Sequence, residues 1–363
     1  MKQITLTTIP LLCAAFAPLC ADAQGKNMSP AEQQQMYMNE MNKITPSAEP
    51  SVTRWADPYL TADFIWWRAH EDGLDYALTG VTPIIHNADK GHVHHPHFSY
   101  EPGFKVGFGL KFRHDGWDFF AQYTRLTFDK SETKNHAKRD ADGDSNVMSN
   151  IPMPWQTGDQ ITFFAEEAKA KWSLDFNVLD LELGRNFWIS KWLTLRPFIG
   201  MKFDWTDQDF NVEYENVSST PFQLLNGSEI EMKMDQDQWA VGIRAGLNSA
   251  YYMWKKLCIY GDFAISGILN DFDVSRKDEV ETATREWNQN HIHKSAHPVT
   301  AVLEWGLGLR FETAFHNDDF LFQLQAGWEE QIWFNQNQFI NFSNSSTSDL
   351  NFEGLTIKAA FYF

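Results

Sequence analysis

Cysteine is scarce in this chain: three residues in 363, of which Cys13 and Cys20 fall in an N-terminal stretch that reads as cleavable. That leaves Cys258 without a partner, so an internal disulfide framework is excluded. Beyond the first residues no run approaches the ~18 apolar residues that a membrane helix needs, which excludes a helical span. Positive charge is also short, with 30 Lys and Arg against 48 Asp and Glu, a net of −18. So acidic a chain repels phosphate, and no nucleic-acid partner is expected.

Large aromatics, by contrast, are plentiful. The chain has 15 Trp and 29 Phe, yet its mean hydropathy is −0.42. That mixture suits a protein with one face in lipid and the other in water. Residues 1–23 read as a secretory signal: Lys2, an apolar stretch from Ile4 to Leu19, then the small-x-small site Ala21-Asp22-Ala23. Residues 24–56 form a polar N-terminal segment expected in the periplasm. Within it Ser29-Pro30-Ala31-Glu32 has the form of a helix start, with a Ser cap and a Glu closing a capping box.

From residue 57 to 363 the period is two. Leu60, Ala62, Phe64 and Trp66 alternate with Thr61 and Asp63; Phe104, Val106, Phe108, Leu110 and Phe112 alternate with Lys105, Gly107, Gly109 and Lys111. A two-residue period sends alternate side chains to opposite faces of a strand. The pattern recurs to the terminal Leu355, Ile357, Ala359, Phe361 and Phe363. Its phase slips near Val178, which predicts a bulge there, and Pro197 inside a strand predicts another. Short turns near 114–116, 187–191, 252–255 and 314–318 alternate with long connections over 70–102, 129–167, 206–236, 269–298 and 332–352.

This is an all-β pattern. It predicts a closed antiparallel transmembrane β-barrel of about ten strands, with short periplasmic turns and long extracellular loops. Gly73-Leu74-Asp75-Tyr76-Ala77 could add a short strand, so twelve is the alternative. A soluble sandwich also alternates, but it would not carry bare Trp, Phe and Leu on one face of every strand. Trp66, Trp67, Trp172, Trp205 and Trp239 toward the long loops, and Trp117, Trp192 and Trp254 toward the short turns, are expected to form two aromatic girdles. Trp305, near mid-strand, fits neither. Phe361 and Phe363 end the strand expected to be read by the barrel-assembly machinery on insertion.

The other face is polar. It carries Lys105, Lys111, Asp118, Gln122, Asp180, Glu182, Arg196, Lys202, Asp204, Arg244, Asp262, Glu304, Arg310, Glu312, Gln323, Gln325 and Lys358. These groups either line a wet channel or pair across a narrow interior and close it. Barrels of about eight strands are filled by side chains, whereas open porins have about 16–18. Gly107, Gly109, Gly242, Gly246, Gly306 and Gly308 remove inward bulk and favour opening.

Three segments resemble the Legionella-type major outer membrane protein family, which also occurs in environmental chlamydiae. They are Tyr59-Leu60-Thr61-Ala62-Asp63-Phe64-Ile65-Trp66-Trp67 with Glu71-Asp72-Gly73-Leu74-Asp75-Tyr76-Ala77, the hairpin from Trp172 to Arg196, and the terminal Ala360-Phe361-Tyr362-Phe363. The family is pore-forming, so the resemblance implies an outer-membrane porin for small hydrophilic solutes or ions. It brings no catalytic residues and no cofactor. A closed barrel acting as a surface adhesin or structural envelope protein is the alternative.

All five long connections are net negative and together hold nearly all of the net charge. An acidic mouth concentrates cations, so weak cation preference is expected. His92, His94 and His97 in the first connection are candidate metal ligands, since imidazole is the commonest one; a solvated His-rich loop is the plainer reading. Asp140, Asp142 and Asp144 echo a calcium loop, but Ser145 and Ile151 stand where Gly and Glu are needed. No motif sets a nucleophile against a base, so no enzyme is expected. The expected surroundings are outer-membrane lipids; the sequence leaves a homo-oligomer open.

Overall fold

The two-residue period folds into ten long strands. The computed structural model describes residues 56–79, 92–112, 116–136, 147–148, 162–220, 228–282, 285–315, 320–340 and 348–363. The signal, the segment up to residue 55 and the acidic stretch 140–146 lie outside the described residues. The barrel strands are β1 (Ala56–Glu71), β2 (Tyr100–Phe112), β3 (Trp117–His136), β4 (Glu167–Arg185), β5 (Leu193–Thr220), β6 (Ser228–Trp254), β7 (Leu257–Thr282), β8 (Val299–Phe315), β9 (Phe320–Asn337) and β10 (Ser348–Tyr362). Each pairs antiparallel with the next along the chain, β5 with β6 included, and β10 returns to β1 with Tyr59 opposite Tyr362. The sheet is therefore closed and leaves no edge for lipid to meet. Ala77–Thr79 pairs with His92–His94 in a branch off the outer end of β5, so the segment around Gly73 adds no barrel strand. The count is ten and not twelve.

Outward residues form an apolar belt: Leu60 is 49% exposed and Ile243 67%. Trp66, Trp205, Trp239 and Trp328 stand exposed along its outer margin, and Trp117, Trp192 and Trp254 along its inner one. Trp305 faces outward within this belt, with Glu330 of β9 opposite it, and belongs to neither margin. Trp67 and Trp172 depart from the girdle: both point inward and are buried.

That departure reflects the largest difference from the sequence reading. Beyond the outer margin the strands do not give way to loops. β5, β6 and β7 continue for 28, 27 and 26 residues, through most of 206–236 and into 269–282. There the pattern inverts. Asp207, Asp209 and Asp237 face out while Phe210, Val212, Tyr214, Ile230 and Met232 are buried inside. Outside lipid a sheet must turn its apolar face to its own interior, so the phase of the hydrophobic residues switches. The slip near Val178 is this switch. Trp172, Leu174, Phe176 and Val178 point inward, Leu183 points to lipid, and the pairing with β5 runs through without a shift. No bulge lies there.

Nor does Pro197 make one. It pairs in register with Leu247 of β6, while the ladder to the β4 side lapses between Leu195 and Phe198, where proline has no N–H to give. The register does shift between Phe128 and Ser131, between Tyr214 and Val217, and between Trp333 and Asn337. The last two shifts contain Asn216 and Asn335 at φ 51 and 52. Asn tolerates that left-handed region better than most residues.

Candidate functional site

The membrane-spanning part of the barrel encloses a polar chamber of about 190 Å³. Its walls are the inward residues of every strand. β1 contributes Asp63 because Phe64 and Trp66 face lipid; β4 contributes Asp180 and Glu182 because Leu181 and Leu183 do. Of the side chains expected inside, Lys105, Lys111, Asp118, Glu182, Arg196, Lys202, Arg244, Asp262, Glu304, Arg310 and Lys358 line this chamber. Asp204 also points inward but is buried beyond it, accepting a hydrogen bond from Thr206 Oγ1 at 2.7 Å. Glu312 lies near the inner end, accepting from Tyr252 Oη and from Gln323 Nε2, each at 3.1 Å. Asp63 and Glu329 belong to the chamber as well. The alternation that turns Phe64 and Trp328 outward is the signal that places both inside.

Ion pairs cross the chamber. Arg244 on β6 holds Glu182 on β4, and holds Glu304 on β8 at 2.9 Å. Lys202 on β5 reaches Asp180 at 2.9 Å and Glu304 at 3.0 Å. Arg196 joins Asp118 on β3 and, at 2.8 Å, Glu182. Lys105 on β2 meets Glu329 on β9 at 2.5 Å. These side chains are largely buried, and opposite charges this close attract strongly once the cost of desolvation has been met. The lumen is therefore tied across its width.

Three of the glycines do not widen it. A Cβ on Gly109 would run into the Tyr59 ring, one on Gly107 into Phe120, and one on Gly246 into Phe198. Their missing side chains make room for aromatic rings, the pairing by which a ring covers an exposed glycine backbone. Above the chamber the inverted face closes into an apolar core in which Trp67, Trp172, Phe176, Tyr214, Trp333 and Phe352 are fully buried. Phe176 stands edge-on to Trp333 at 5.2 Å and lies 4.4 Å from Phe352. The sequence signal for this core is a period of two that persists at Phe210, Val212 and Tyr214 and at Ile230, Met232 and Met234, with the apolar residues moved to even positions.

Charged groups are buried at this end of the barrel too, Glu71 and Arg276 among them. Glu71, five residues beyond Trp66 and outside the membrane, is buried, and among the described residues neither carboxyl oxygen has a hydrogen-bond partner within normal geometry. Burial pushes its pKa up to about 8, the nearby Gln208 amide easing the shift only in part. On the outer wall Asp175, Asp207, Asp237 and Asp273 stand opposite one another across four strands. Partial burial, then the facing carboxylates of Asp237 and Asp175, hold the Asp207 pKa above its ordinary value.

His92 and His94 share a short strand and His97 follows it, but among the described residues no group of three His, Cys, Asp or Glu side chains is placed to hold a metal. Phe361 packs outside the inner rim with Phe315 and Phe320, at 6.0 and 5.9 Å, and Phe363 stands edge-on to it at 4.8 Å. The Phe363 N–H donates to the Pro58 carbonyl, which seals the last strand against the first.

Residues 50–363 match the family described as Legionella pneumophila major outer membrane protein precursor. A search of curated proteins found no match. Among solved structures, the outer membrane protease OmpT of Escherichia coli is 8% identical with a TM-score of 0.36, over 85% of this chain and 96% of that one. A major outer membrane protein of Thermus thermophilus is 10% identical with a TM-score of 0.27, over 85% and 99%. The attachment invasion locus protein Ail of Yersinia pestis is 12% identical with a TM-score of 0.25, over 85% and 99%. Likenesses this distant say nothing of function. The family match, the closed ring and the apolar belt place this chain in the outer membrane as a multi-pass β-barrel.

Proposed function

The chain belongs to the Legionella major outer membrane protein family, and on that footing we propose that it is a porin admitting small hydrophilic solutes by passive diffusion. The observation that carries this reading is the chamber, lined largely by charged and polar groups inside an apolar belt. A purely structural barrel could fill the same space with apolar side chains at lower cost, because buried charges are expensive to keep. No covalent step is involved. Solutes exchange with the side chains of the chamber, which the crossing ion pairs narrow.

The outer wall supports a weak preference for cations. Asp175, Asp207, Asp237 and Asp273 present a row of carboxylates near the mouth, and such a field draws cations in over roughly a Debye length. In a potassium chloride gradient across a planar bilayer, the reversal potential should take the sign of cation selectivity. A zero or anion-selective potential would remove this part of the proposal. During assembly, the aromatic C-terminal strand ending in Phe361 and Phe363 is the segment the barrel-assembly machinery would bind.

A second reading rests on the apolar core above the chamber. Trp172, Trp333 and Phe352 fill the outer end of the barrel, which favours a closed surface protein displaying tall hairpins. A folded, heat-modifiable protein that stays electrically silent in bilayers would support that reading against the porin.

A further inference from the structure

The cations of the chamber differ in what they hold. Lys105, Arg196, Lys202 and Arg244 each contact a carboxylate. Lys358, on β10, has no hydrogen bond or ion pair with any described residue. Its ammonium lies 5.2 Å over the Phe120 ring. Phe120 is stacked on Tyr59 at 5.6 Å with 9° between planes, and Tyr59 on Tyr362 at 4.8 Å. Lys111 places its ammonium 4.1 Å over Tyr362 and 5.9 Å over Tyr59. Three rings thus form a continuous floor with an ammonium seated at each end, and all five residues line the chamber.

From this arrangement we infer that the floor is a binding subsite for a small monocarboxylate with a short alkyl tail. The inference deepens the porin reading and rests on it for the route of entry. An ammonium seated on a ring face, as Lys358 is, can turn N–H donors into the chamber, because lysine has three of them. A ring offers it attraction without the full neutralisation a carboxylate would give. A carboxylate in the chamber completes the Lys358 coordination, and its alkyl end gains the ring surface. Asp63 stands beside Lys358 in the ladder, and Asp262 lies close by in the same cavity. These two negative groups disfavour a dianion such as phosphate, and 190 Å³ suits a solute of a few heavy atoms.

The test is calorimetric titration of the refolded full barrel in detergent, at constant ionic strength, with sodium propionate and separately with inorganic phosphate. Saturable propionate binding is expected, weakened about tenfold by Lys358→Gln. Lys277→Gln, on the outer wall in an ion pair with Glu279, should leave it unchanged. Phe120→Leu keeps the lysine and removes its seat, so it should also weaken binding. It serves if Lys358→Gln loses the heat-modifiable folded band. No saturable binding, binding unaffected by both chamber variants, or tighter binding of phosphate would overturn the subsite. Bilayer recordings on the same preparation separate the two ideas. A silent barrel with Lys358-dependent propionate binding upholds the subsite and removes the pore. A conducting barrel without such binding overturns the subsite alone.

Discussion

The Lys202 ammonium stands 3.0 Å from the Glu304 carboxylate and so joins β5 to β8 over two intervening strands. Arg244 grips the same carboxylate from β6, at 2.9 Å. Glu304 is thus the common anchor of two cations drawn from separate strands. Replacing it with alanine takes a carboxylate from both, and breaking a buried pair from one side costs about 3–5 kcal/mol. Urea unfolding in lipid vesicles should show a loss of that order for Glu304→Ala. A loss below about 1 kcal/mol would mean that the chamber is wet enough to screen the pairs, as at an exposed surface.

The outer core predicts a local effect instead. Trp172 is buried and stands 5.4 Å from Phe98 and 6.2 Å from Phe128. Trp172→Ala should cost about 3–5 kcal/mol, and the loss should fall on the extramembranous ends of the strands. Hydrogen exchange would show β4 and β5 opening above Trp205 while the ladder within the apolar belt keeps its protection. Uniform loss along both strands would contradict a separate outer core.

Gly109 and Tyr59 should behave as a unit. Gly109→Ala sets a methyl against the Tyr59 ring and should lower the folded yield in vesicles. Adding Tyr59→Ala removes the obstacle, so the double variant should fold better than Gly109→Ala alone. If the two losses simply add, the ring does not fill the glycine gap.

Glu71 gives the barrel a pH dependence. Its pKa rises from 4.5 to about 8 on folding because burial penalises the ionised form. The folded state therefore holds a proton that the unfolded chain has released. The Glu71 contribution to stability is greatest below about pH 4.5, falls as the pH rises toward 8, and levels off above it. Glu71→Gln should flatten that slope and leave the variant more stable than the parent at pH 8. Vesicle unfolding curves at pH 5 and pH 8 check this; an unchanged slope would contradict it.

The ring of ten and the side each residue faces within lipid were legible, because lipid demands one apolar face without exception. That rule placed Lys105, Arg244 and Glu304 inside from their neighbours alone. It lost its grip where lipid ends. At Val178 the apolar residues change sides, a signal that reads equally as a bulge, and over 206–236 the alternation persists in inverted phase, which marks strand without marking lipid. Gly109 misled for another reason. A glycine announces missing bulk, but the ring that occupies the space is Tyr59, fifty residues earlier in the chain, and only the closed register brings them together. The partners of Arg244 were likewise out of reach, since chords across a lumen have no sequence spacing.

On the proposed porin reading, a polar lumen tied by ion pairs limits what passes through this barrel. Single-channel recording of the parent and of Arg244→Ser in planar bilayers tests it most directly. Small, stable steps are expected from the parent and several-fold larger ones from the variant, whose chamber has lost the ties to Glu182 and Glu304. Folded protein that stays silent in both forms, or steps of equal size in the two, would contradict it.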